Sequence, residues 1–426
     1  MRDAAPAPVP PPTTQPCPQC GATLPVNPEY VTWCDQCDWN LQPSKSEPPP
    51  TLFERQYTAL GRRFSKGLFD SLVQRGPYRP RWDAPVVLAY TLALAVHGLT
   101  LYLLYASLSL VAQGTGHPFL VLAGLFGLMV VWVLRPRIPQ FSAFSDIVTR
   151  ADFPTLFRII DDITAILHGG PVDTVLIDEE LNAGFGRYGW QWKRQLVLGL
   201  PLLTILEPQE RIAILSHELA HGVNGDPARG FVMGTTLSTL VEWHNFLHPG
   251  NVLGGGDIYS LAAVPINLIL LALALTTRLL IYGLLHLFWR SSQRAEYLAD
   301  ALAAQVAGTE ATCAALDKLH YAPAFTFTLR RRSLGVGEFN VFTALRKQLS
   351  TVPERELARI RRIEEIEGSR IDVTHPPTTY RMALMRAHPV AVPQYILSAS
   401  DAAQLDTELA AVEQRVQDQL FDRLHR

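Results

Sequence analysis

An uncharged apolar run over residues 85–112 constrains the fold of this chain more than any other feature. It is long enough to cross the hydrocarbon core of a bilayer as one helix. A second apolar run, residues 119–134, follows after a short turn, so the two runs predict a transmembrane hairpin over residues 85–134. Such runs explain why hydrophobic residues make up 48% of a chain that also contains 32 prolines.

The charges that flank this hairpin predict its orientation. Arginines precede it in the basic segment 52–82 and follow it at Arg135 and Arg137, whereas the turn has none. Because basic residues stay on the cytosolic side, we expect a multi-pass protein of the cell membrane whose N-terminus and active site are cytosolic. Segment 52–82 is either a juxtamembrane segment that contacts anionic lipid or a solvated basic helix.

A later region, residues 229–289, predicts a second membrane-embedded hairpin. Residues 261–289 are strongly apolar and longer than a bilayer requires, so we expect residues 261–277 to span and the rest to project toward the catalytic domain. Residues 230–247 are only weakly apolar and carry Glu242. Both a full crossing and a shallow insertion of that segment therefore remain open.

Four of the five cysteines form two C-x-x-C pairs, Cys17 with Cys20 and Cys34 with Cys37, separated by thirteen residues. This spacing predicts a tetrahedral four-thiolate site in a zinc ribbon over residues 17–42. Two disulfides would be the alternative in an oxidising compartment. The ribbon itself is not basic and the net charge of the chain is −2, so no nucleic acid is expected as a partner. A regulatory partner at the ribbon stays open.

The motif that carries chemistry is an H-E-x-x-H at His217, Glu218 and His221. Two histidines four residues apart on a helix share one face and can bind one zinc ion, while Glu218 can deprotonate a water on that ion. Pro208 and the apolar spacing indicate the helix independently, and Gly222 is expected to end it. A chance match on an ordinary amphipathic helix is the alternative, so the test is a third ligand.

Two glutamates compete for the position of third ligand. A metzincin is excluded, because Pro227 stands where that class has a third histidine. Glu242 lies near the spacing of thermolysin-like sites, but no aspartate follows it four residues on. Glu296 and Asp300 share one helix face, so one can bind zinc while the other hydrogen-bonds a ligand histidine. This pairing favours Glu296.

The segment before the motif mixes helix and strand signals. We expect a helix over residues 153–168 and strands over residues 172–177 and 195–200. Residues 182–186 form a turn or a strand edge between them. An exposed edge near zinc could bind an extended substrate by strand addition, although the residues alone favour a plain turn.

With these residues assembled, the sequence resembles the HtpX-like and type I CAAX prenyl endopeptidase family of membrane zinc metallopeptidases, which are gluzincins. The resemblance covers about residues 150–385 and the preceding hairpin. It rests on the order and spacing of several elements: Asn182-Ala183, Gly199-Leu200, the metal helix ending in Asp226, Glu296 to Asp300, and His375-Pro376-Pro377 with Arg381.

The resemblance implies roles for these positions. Zinc would be bound by His217, His221 and Glu296, with Glu218 as the general base. A second group would assist: Asp300 would orient a ligand, His375 and Arg381 would act in catalysis by stabilising the oxyanion or binding the substrate backbone, and Asn182 and Ala183 would lie on the strand that pairs with substrate.

Some positions depart from the family pattern. Gly184 stands where the family usually has phenylalanine, which puts the register of the edge strand in doubt, and Gln293 and Ala295 replace arginines before the ligand glutamate. The ligands and the base show no departure, so we expect an active enzyme. At most four spans are visible, which favours an HtpX-like role over that of the prenyl proteases.

The predicted fold class is therefore mostly α with a small β-sheet: a zincin-type peptidase domain combined with transmembrane helices and a ribbon. Residues 1–16 are expected to be disordered, residues 43–84 to form a linker and the basic segment, and residues 140–228 and 290–426 to form the peptidase domain. The predicted function is that of a zinc metalloendopeptidase that hydrolyses peptide bonds of membrane or misfolded proteins through a zinc-activated water, in quality control. The alternative is a membrane-anchored ribbon adaptor with an inactive or latent peptidase fold.

Overall fold

The computed structural model describes residues 13–43, 52–76, 83–136, 146–188, 191–248, 264–321, 325–326, 328–330, 340–349, 351–367 and 375–424. Helices make up most of these residues, and two small sheets complete the described fold. The predicted fold class is confirmed.

The N-terminal ribbon begins with an antiparallel pair, β1 (Thr13–Pro16) and β2 (Thr23–Val26). The expectation of disorder over residues 1–16 is therefore wrong for its last four residues, because their backbone pairs with β2; residues 1–12 lie outside the described residues. The small core of the ribbon consists of Cys17, Leu24 and Cys34, with Trp39 packed against it.

Three helices follow the ribbon: α1 (Leu52–Arg75), α2 (Ala84–Gln113) and α3 (Pro118–Leu134). The side chain of Asp83 caps α2 by accepting a hydrogen bond from the backbone amide of Val86, at 3.2 Å. Helices α2 and α3 pack against each other as the hairpin predicted from the two apolar runs. Many of their apolar side chains face outward, among them Leu94 and Phe119, which are 73% and 84% exposed.

A four-stranded mixed sheet precedes the helix that carries the H-E-x-x-H motif. Its strands are β3 (Asp146–Val148), β4 (Thr174–Asp178), β5 (Ala183–Tyr188) and β6 (Lys193–Gly199), in the order β3-β4-β6-β5. β4 and β6 run parallel, and β5 pairs antiparallel with β6, which makes β5 an edge strand. Helix α4 (Pro154–Ile166) packs on the sheet, and the carboxylate of Glu408 caps its first amides.

Helix α5 (Leu200–Ile205) leads into α6 (Pro208–Asn224), which carries the H-E-x-x-H motif. Glu207 and Glu210 form a capping box at the start of α6. The helix does not end at Gly222, as expected from the sequence, but at Asn224. Gly225 is the residue that adopts the left-handed conformation, with φ 74°, and α7 (Asp226–Leu247) begins directly after it.

Helix α8 (Val264–Ala307) is a single continuous element of 44 residues. Its first half is apolar and exposed, whereas its second half, from Gln293 onward, is largely buried and carries Glu296 and Asp300. Among the described residues, α2 and α8 are the two helices long and apolar enough to cross a membrane, and α3 is a shorter apolar helix. Only 22% and 17% of the most apolar windows of α2 and α8 are buried, so neither is a core helix of an ordinary globular fold.

Among the described C-terminal residues, five further helices have nine or more residues. They are α9 (Thr309–Lys318), α10 (Val341–Leu349), α11 (Glu354–Glu367), α12 (Thr378–Ala387) and α13 (Ala399–Leu424). One continuous hydrophobic core joins the sheet to α4, α6, α10 and α13. The motif helix α6 thus lies at the centre of the domain, held on all sides by elements that come from distant parts of the chain.

Candidate metal centre

His217, His221 and Glu296 meet at one point between α6 and α8. The Nε2 atoms of the two histidines are 3.2 Å apart, and each lies 3.6 Å from an oxygen of Glu296. Tetrahedral zinc with bonds of about 2.0–2.1 Å requires its nitrogen and oxygen ligands to be about 3.3 Å apart. These residues therefore fit a zinc ion. The competing glutamate, Glu242, lies on α7 and is not part of this group.

Each histidine is oriented by a carboxylate on its other nitrogen. Nδ1 of His221 lies 2.9 Å from Asp226, and Nδ1 of His217 lies 3.1 Å from Asp300. Such partners fix the ring and its tautomer, leaving Nε2 for the metal. The contact of Asp300 is the one expected from its i, i+4 spacing to Glu296. No role was derived for Asp226 from the sequence, and its position just past the helix end was the available signal.

The residues His375 and Arg381 both reach the ligand Glu296. Nδ1 of His375 lies 2.8 Å from Glu296, yet 60% of the His375 side chain remains exposed to the cleft. Arg381 is buried and donates two hydrogen bonds to Asp300, at 2.6 and 2.8 Å, while one guanidinium nitrogen lies 3.7 Å from Glu296. The exposed His375 is thus the better placed of the two to meet a substrate, and Arg381 is held by Asp300.

The site concentrates negative charge. Burial alone would raise the pKa of Glu296, but His375 and His221 hold it well below its usual range. Burial would lower the pKa of His221, but Glu296 and Asp226 raise it to about 9. Zinc binds the neutral imidazole. A proton and a zinc ion therefore compete for the same ring nitrogen of His221, and the nearby carboxylates stabilise either of these two cations.

An open cleft of about 530 Å³ borders one of the three ligands, His217. Its lining includes Glu218, His375 and the start of the edge strand at Asn182 and Ala183, together with apolar residues of α6, α9 and α11. Glu218 therefore borders the same space as His217. The structure places every residue assigned to catalysis or substrate binding by the resemblance at this cleft, and their roles remain predictions.

Gly184 does not disturb the edge strand. The register runs without interruption through Ala183 opposite Leu198, Gly184 opposite Val197 and Phe185 opposite Leu196. A Cβ atom at Gly184 would meet no heavy atom within 4 Å, so the position has room for a side chain. The prediction of a plain turn, which the residues alone favoured, is wrong, because the backbone of β6 pairs with Ala183, Gly184 and Phe185.

The comparison with known proteins agrees with this geometry. The profile of peptidase family M48 matches residues 158–388, more than half of the chain. The chain belongs to peptidase family M48. The resemblance drawn from the sequence is confirmed, and the M48 match ends just beyond Arg381.

Relatives of this M48 peptidase include HtpX proteins from archaea and bacteria. A protease HtpX homolog of Pyrobaculum calidifontis is 26% identical over 252 residues, which is 56% of this chain and 69% of that protein. The homolog of Pyrobaculum aerophilum is 26% identical over 248 residues, covering 54% and 67% of the two chains. Protease HtpX of Pseudomonas putida is 33% identical over 140 residues, 31% of this chain and 44% of that protein. No solved structure matches significantly.

The M48 match begins after the ribbon, whose four cysteines form a second cluster. The Sγ atoms of Cys17 and Cys37 are 3.7 Å apart and those of Cys20 and Cys34 are 3.5 Å apart, and no disulfide joins them. A zinc ion with four Zn–S bonds of about 2.3 Å requires sulfurs about 3.8 Å apart. The thiolates therefore fit a structural zinc ion. The fifth cysteine, Cys313, is buried and is not part of this cluster.

A second cavity of about 360 Å³ reaches the M48 ligands from the opposite side. It lies between α7 and α8, and His221 and Glu296 form its inner end. The rest of its wall is mainly apolar, with Met233, Leu237 and Phe288 among its lining residues. The candidate centre is thus bordered by an open cleft on one side and by an apolar cavity, toward the exposed apolar helices, on the other.

Proposed function

We propose that this M48 protein is an integral membrane zinc metalloendopeptidase whose active site faces the cytosol. The observation that carries the proposal is the triangle of His217, His221 and Glu296, of which His217 lines an open cleft together with Glu218. This is the arrangement of three protein ligands and one open side that distinguishes catalytic from structural zinc sites.

When bound, zinc supplies a Lewis acid that makes water more acidic and polarises a peptide carbonyl. Glu218 accepts the proton of the attacking water and later donates it to the leaving amine. His375 borders the cleft, is exposed, and has its pKa raised chiefly by Glu296. A protonated His375 would donate a hydrogen bond to the developing oxyanion.

The substrate class follows from the edge strand and the apolar cavity. In the described sheet β5 pairs only with β6, so one side of its backbone is available to an extended peptide by strand addition. The cavity between α7 and α8 offers apolar surface toward the membrane side of the centre. Together these features suit extended, apolar segments of membrane or misfolded proteins, and they support a role in quality control.

The membrane arrangement proposed from the sequence is multi-pass. α2 and α3 would form one hairpin, and the exposed apolar half of α8 would be another span, preceded by α7. Helix α7 buries Met233, Thr236 and Leu240 against its neighbours α2 and α8. This packing, together with the basic residues outside the first hairpin, supports a small bundle with the catalytic domain on the cytosolic side.

The direct test compares wild-type protein with Glu218→Gln in detergent, using an unfolded protein substrate and measuring metal content in parallel. Glutamine keeps the side-chain volume but cannot accept the proton, so cleavage should disappear while about two zinc ions per chain remain. Glu180→Gln is the matched control, because Glu180 lies outside the ligand set, and it should cleave like wild type.

If neither protein cleaves the substrate and each binds about one zinc ion per chain, the peptidase function is contradicted and the ribbon adaptor is favoured. If neither protein cleaves the substrate but each binds about two zinc ions per chain, the protein is instead a latent peptidase that requires an activating partner.

A further inference from the structure

The ribbon is docked on the catalytic domain through one face of α11. Arg355 donates to the backbone carbonyl of Trp33 at 2.5 Å, and Arg359 donates to the carbonyl of Leu41 at 2.6 Å. Arg362 forms two hydrogen bonds with the carboxylate of Asp38, at 2.9 and 3.0 Å. Because these arginines are spaced i, i+4 and i+7, they lie on one face of the helix. The whole face is thus engaged by the ribbon.

The acceptors on the ribbon are set by the second cysteine pair. Trp33 directly precedes Cys34, and Asp38 directly follows Cys37. Asp38 adopts φ 58°, the left-handed conformation that aspartate accepts more readily than most non-glycine residues. Trp33 is buried beneath Arg355, whose guanidinium lies 5.3 Å from its ring centre, rather than in the core of the ribbon. The docking surface therefore depends on the geometry of the Cys34–Cys37 turn.

Other residues of α11 form part of the substrate cleft. Ile360, Ile363 and Glu364 line it. Glu364 accepts hydrogen bonds from the amide and the hydroxyl of Thr378, at 3.1 and 2.5 Å, and lies 2.6 Å from Nε2 of His320. Thr378 is the first residue of α12. Glu364 consequently fixes the start of α12 against α11.

Helix α12 completes the connection to the metal ligands. It carries Arg381, which is bound to Asp300, and Asp300 is in turn the partner of His217. A continuous series of polar contacts therefore leads from the cysteine turn, through α11 and α12, to a zinc ligand. Except for the contact between Glu364 and Thr378, which are 14 residues apart, each contact in the series joins segments that are far apart along the chain.

We propose that the ribbon is an internal positioning module of the peptidase, and that the partner of its exposed turn is α11 of the same chain. Its metal-held turn anchors α11, and α11 sets both the cleft wall and the position of Arg381. Arg362 and Glu364 are positioning residues in this scheme, since neither touches the ligands. The proposal concerning catalysis rests on the proposed peptidase function, whereas the docking itself does not.

Hydrogen exchange of the full-length protein in detergent tests the docking without any substrate. Reversal of one charge, Arg362→Asp, places two carboxylates together and should speed amide exchange in α11 and at the start of α12 by roughly three- to tenfold. The double variant Asp38→Arg, Arg362→Asp restores opposite charges and should restore protection. Arg150→Asp breaks a similar two-bond pair with Asp161, away from α11, and is the matched control.

Removal of the ribbon metal gives a second, independent measurement. Cys34→Ser should lower the zinc content by about one ion per chain and speed exchange in the same two helices, while α6 keeps its protection. Unchanged exchange in α11 after both Cys34→Ser and Arg362→Asp would overturn the proposal. So would faster exchange that the charge-swapped double variant fails to reverse.

Peptide cleavage by the same variants separates positioning from general damage. Arg362→Asp should raise KM several-fold with a smaller fall in kcat, because α11 forms the cleft wall directly but reaches His217 only through Arg381 and Asp300. The charge swap should recover KM. If the exchange changes occur but the wild type cleaves no substrate, the docking is supported, and the zinc content then decides between an adaptor and a latent peptidase. If Arg150→Asp lowers kcat as much as Arg362→Asp does, the effect of Arg362→Asp is not specific to α11.

Discussion

The two metal-ligand clusters of this chain achieve similar ligand spacing by opposite means. The ribbon takes four thiolates from two short turns within 21 positions of sequence, Cys17 to Cys37, and has only a small core of its own. The catalytic cluster takes three ligands from two long helices and orients them with Asp226 and Asp300, in the centre of a large core. The ribbon is closed by its four ligands, whereas the catalytic cluster keeps one side open.

This difference indicates where each cluster is sensitive. A site made of four thiolates needs little beyond them, because the ligands themselves complete the coordination. A site with three ligands and an open side must obtain its order from the surrounding protein. Changes outside the ligands should therefore affect the catalytic cluster strongly and the ribbon weakly, and the following measurements test that contrast.

The largest effect is expected from Glu218→Gln. Loss of the general base should lower kcat by about 10²- to 10⁴-fold with both zinc ions retained, because glutamine cannot take up a proton. Rates measured on an unfolded substrate, together with metal analysis, check this. A variant with more than a tenth of wild-type kcat would show that another group serves as the base.

Next in size is Asp226→Ala, which removes the oxygen that lies 2.9 Å from Nδ1 of His221. Zinc affinity of the catalytic cluster should fall about 10- to 100-fold, as measured by competition with a chelator. Asp226→Asn keeps an acceptor oxygen and should lose less. The ribbon zinc of the same molecules is an internal control, and the exposed Asp35→Ala should change neither site. Equal losses at both sites would contradict the contrast.

A smaller effect is expected from pH at the network between the two clusters. Burial would lower the pKa of His320, but hydrogen bonds to Asp317 and Glu364 raise it to about 9, and Arg361 pairs with Asp317. Since the folded-state pKa lies above the ordinary value of about 6.5, this stabilisation is full below pH 6.5 and is lost as pH rises through 9. The Tm of wild type should fall over that range more than the Tm of His320→Gln. Parallel curves would refute the ion pair.

The smallest effect is expected at Cys313. Burial raises the pKa of the Cys313 thiol to about 11, and Cys313 is not part of the ribbon cluster. Cys313→Ala should leave zinc content unchanged and cost about 1 kcal/mol of stability. A thiol reagent should find four reactive cysteines in the folded wild type only after chelation of the ribbon zinc. A fifth rapidly reacting thiol would show that Cys313 is accessible.

Much of this arrangement could be predicted from local sequence patterns. The spacing of the cysteine pairs predicted the ribbon. The interval from His217 to His221 predicted two ligands on one helix face. The interval from Glu296 to Asp300 predicted a ligand and a carboxylate that hydrogen-bonds a ligand histidine. These patterns work because a helix or a tight turn fixes the relative positions of residues only a few places apart.

Contacts between distant segments could not be predicted in this way. Glu364 and His320 line the cleft only because α11 packs beside α9 and α12, and no local period indicates that packing. The residues of β5 alone favoured a turn over a strand edge, because a glycine-rich stretch carries little strand signal, while β6 supplies its partner. Gly225, rather than Gly222, ends α6 because the left-handed backbone conformation falls there, and Asp226 is thereby turned toward His221.

The continuity of α8 has a mechanical consequence. At about 1.5 Å per residue, Glu296 stands roughly 25 Å along the rod from Leu279, one of its last outward-facing apolar residues. No hinge interrupts the helix between them. The third ligand is therefore attached rigidly to the proposed anchor, while both histidines belong to a different helix. A tilt of the rod by a few degrees would shift the glutamate by ångströms against the imidazoles. If the proposed span is correct, a bilayer of altered thickness that tilts the rod would move Glu296 relative to His217 and His221, and a cut between Leu279 and Glu296 would interrupt the helix that positions Glu296.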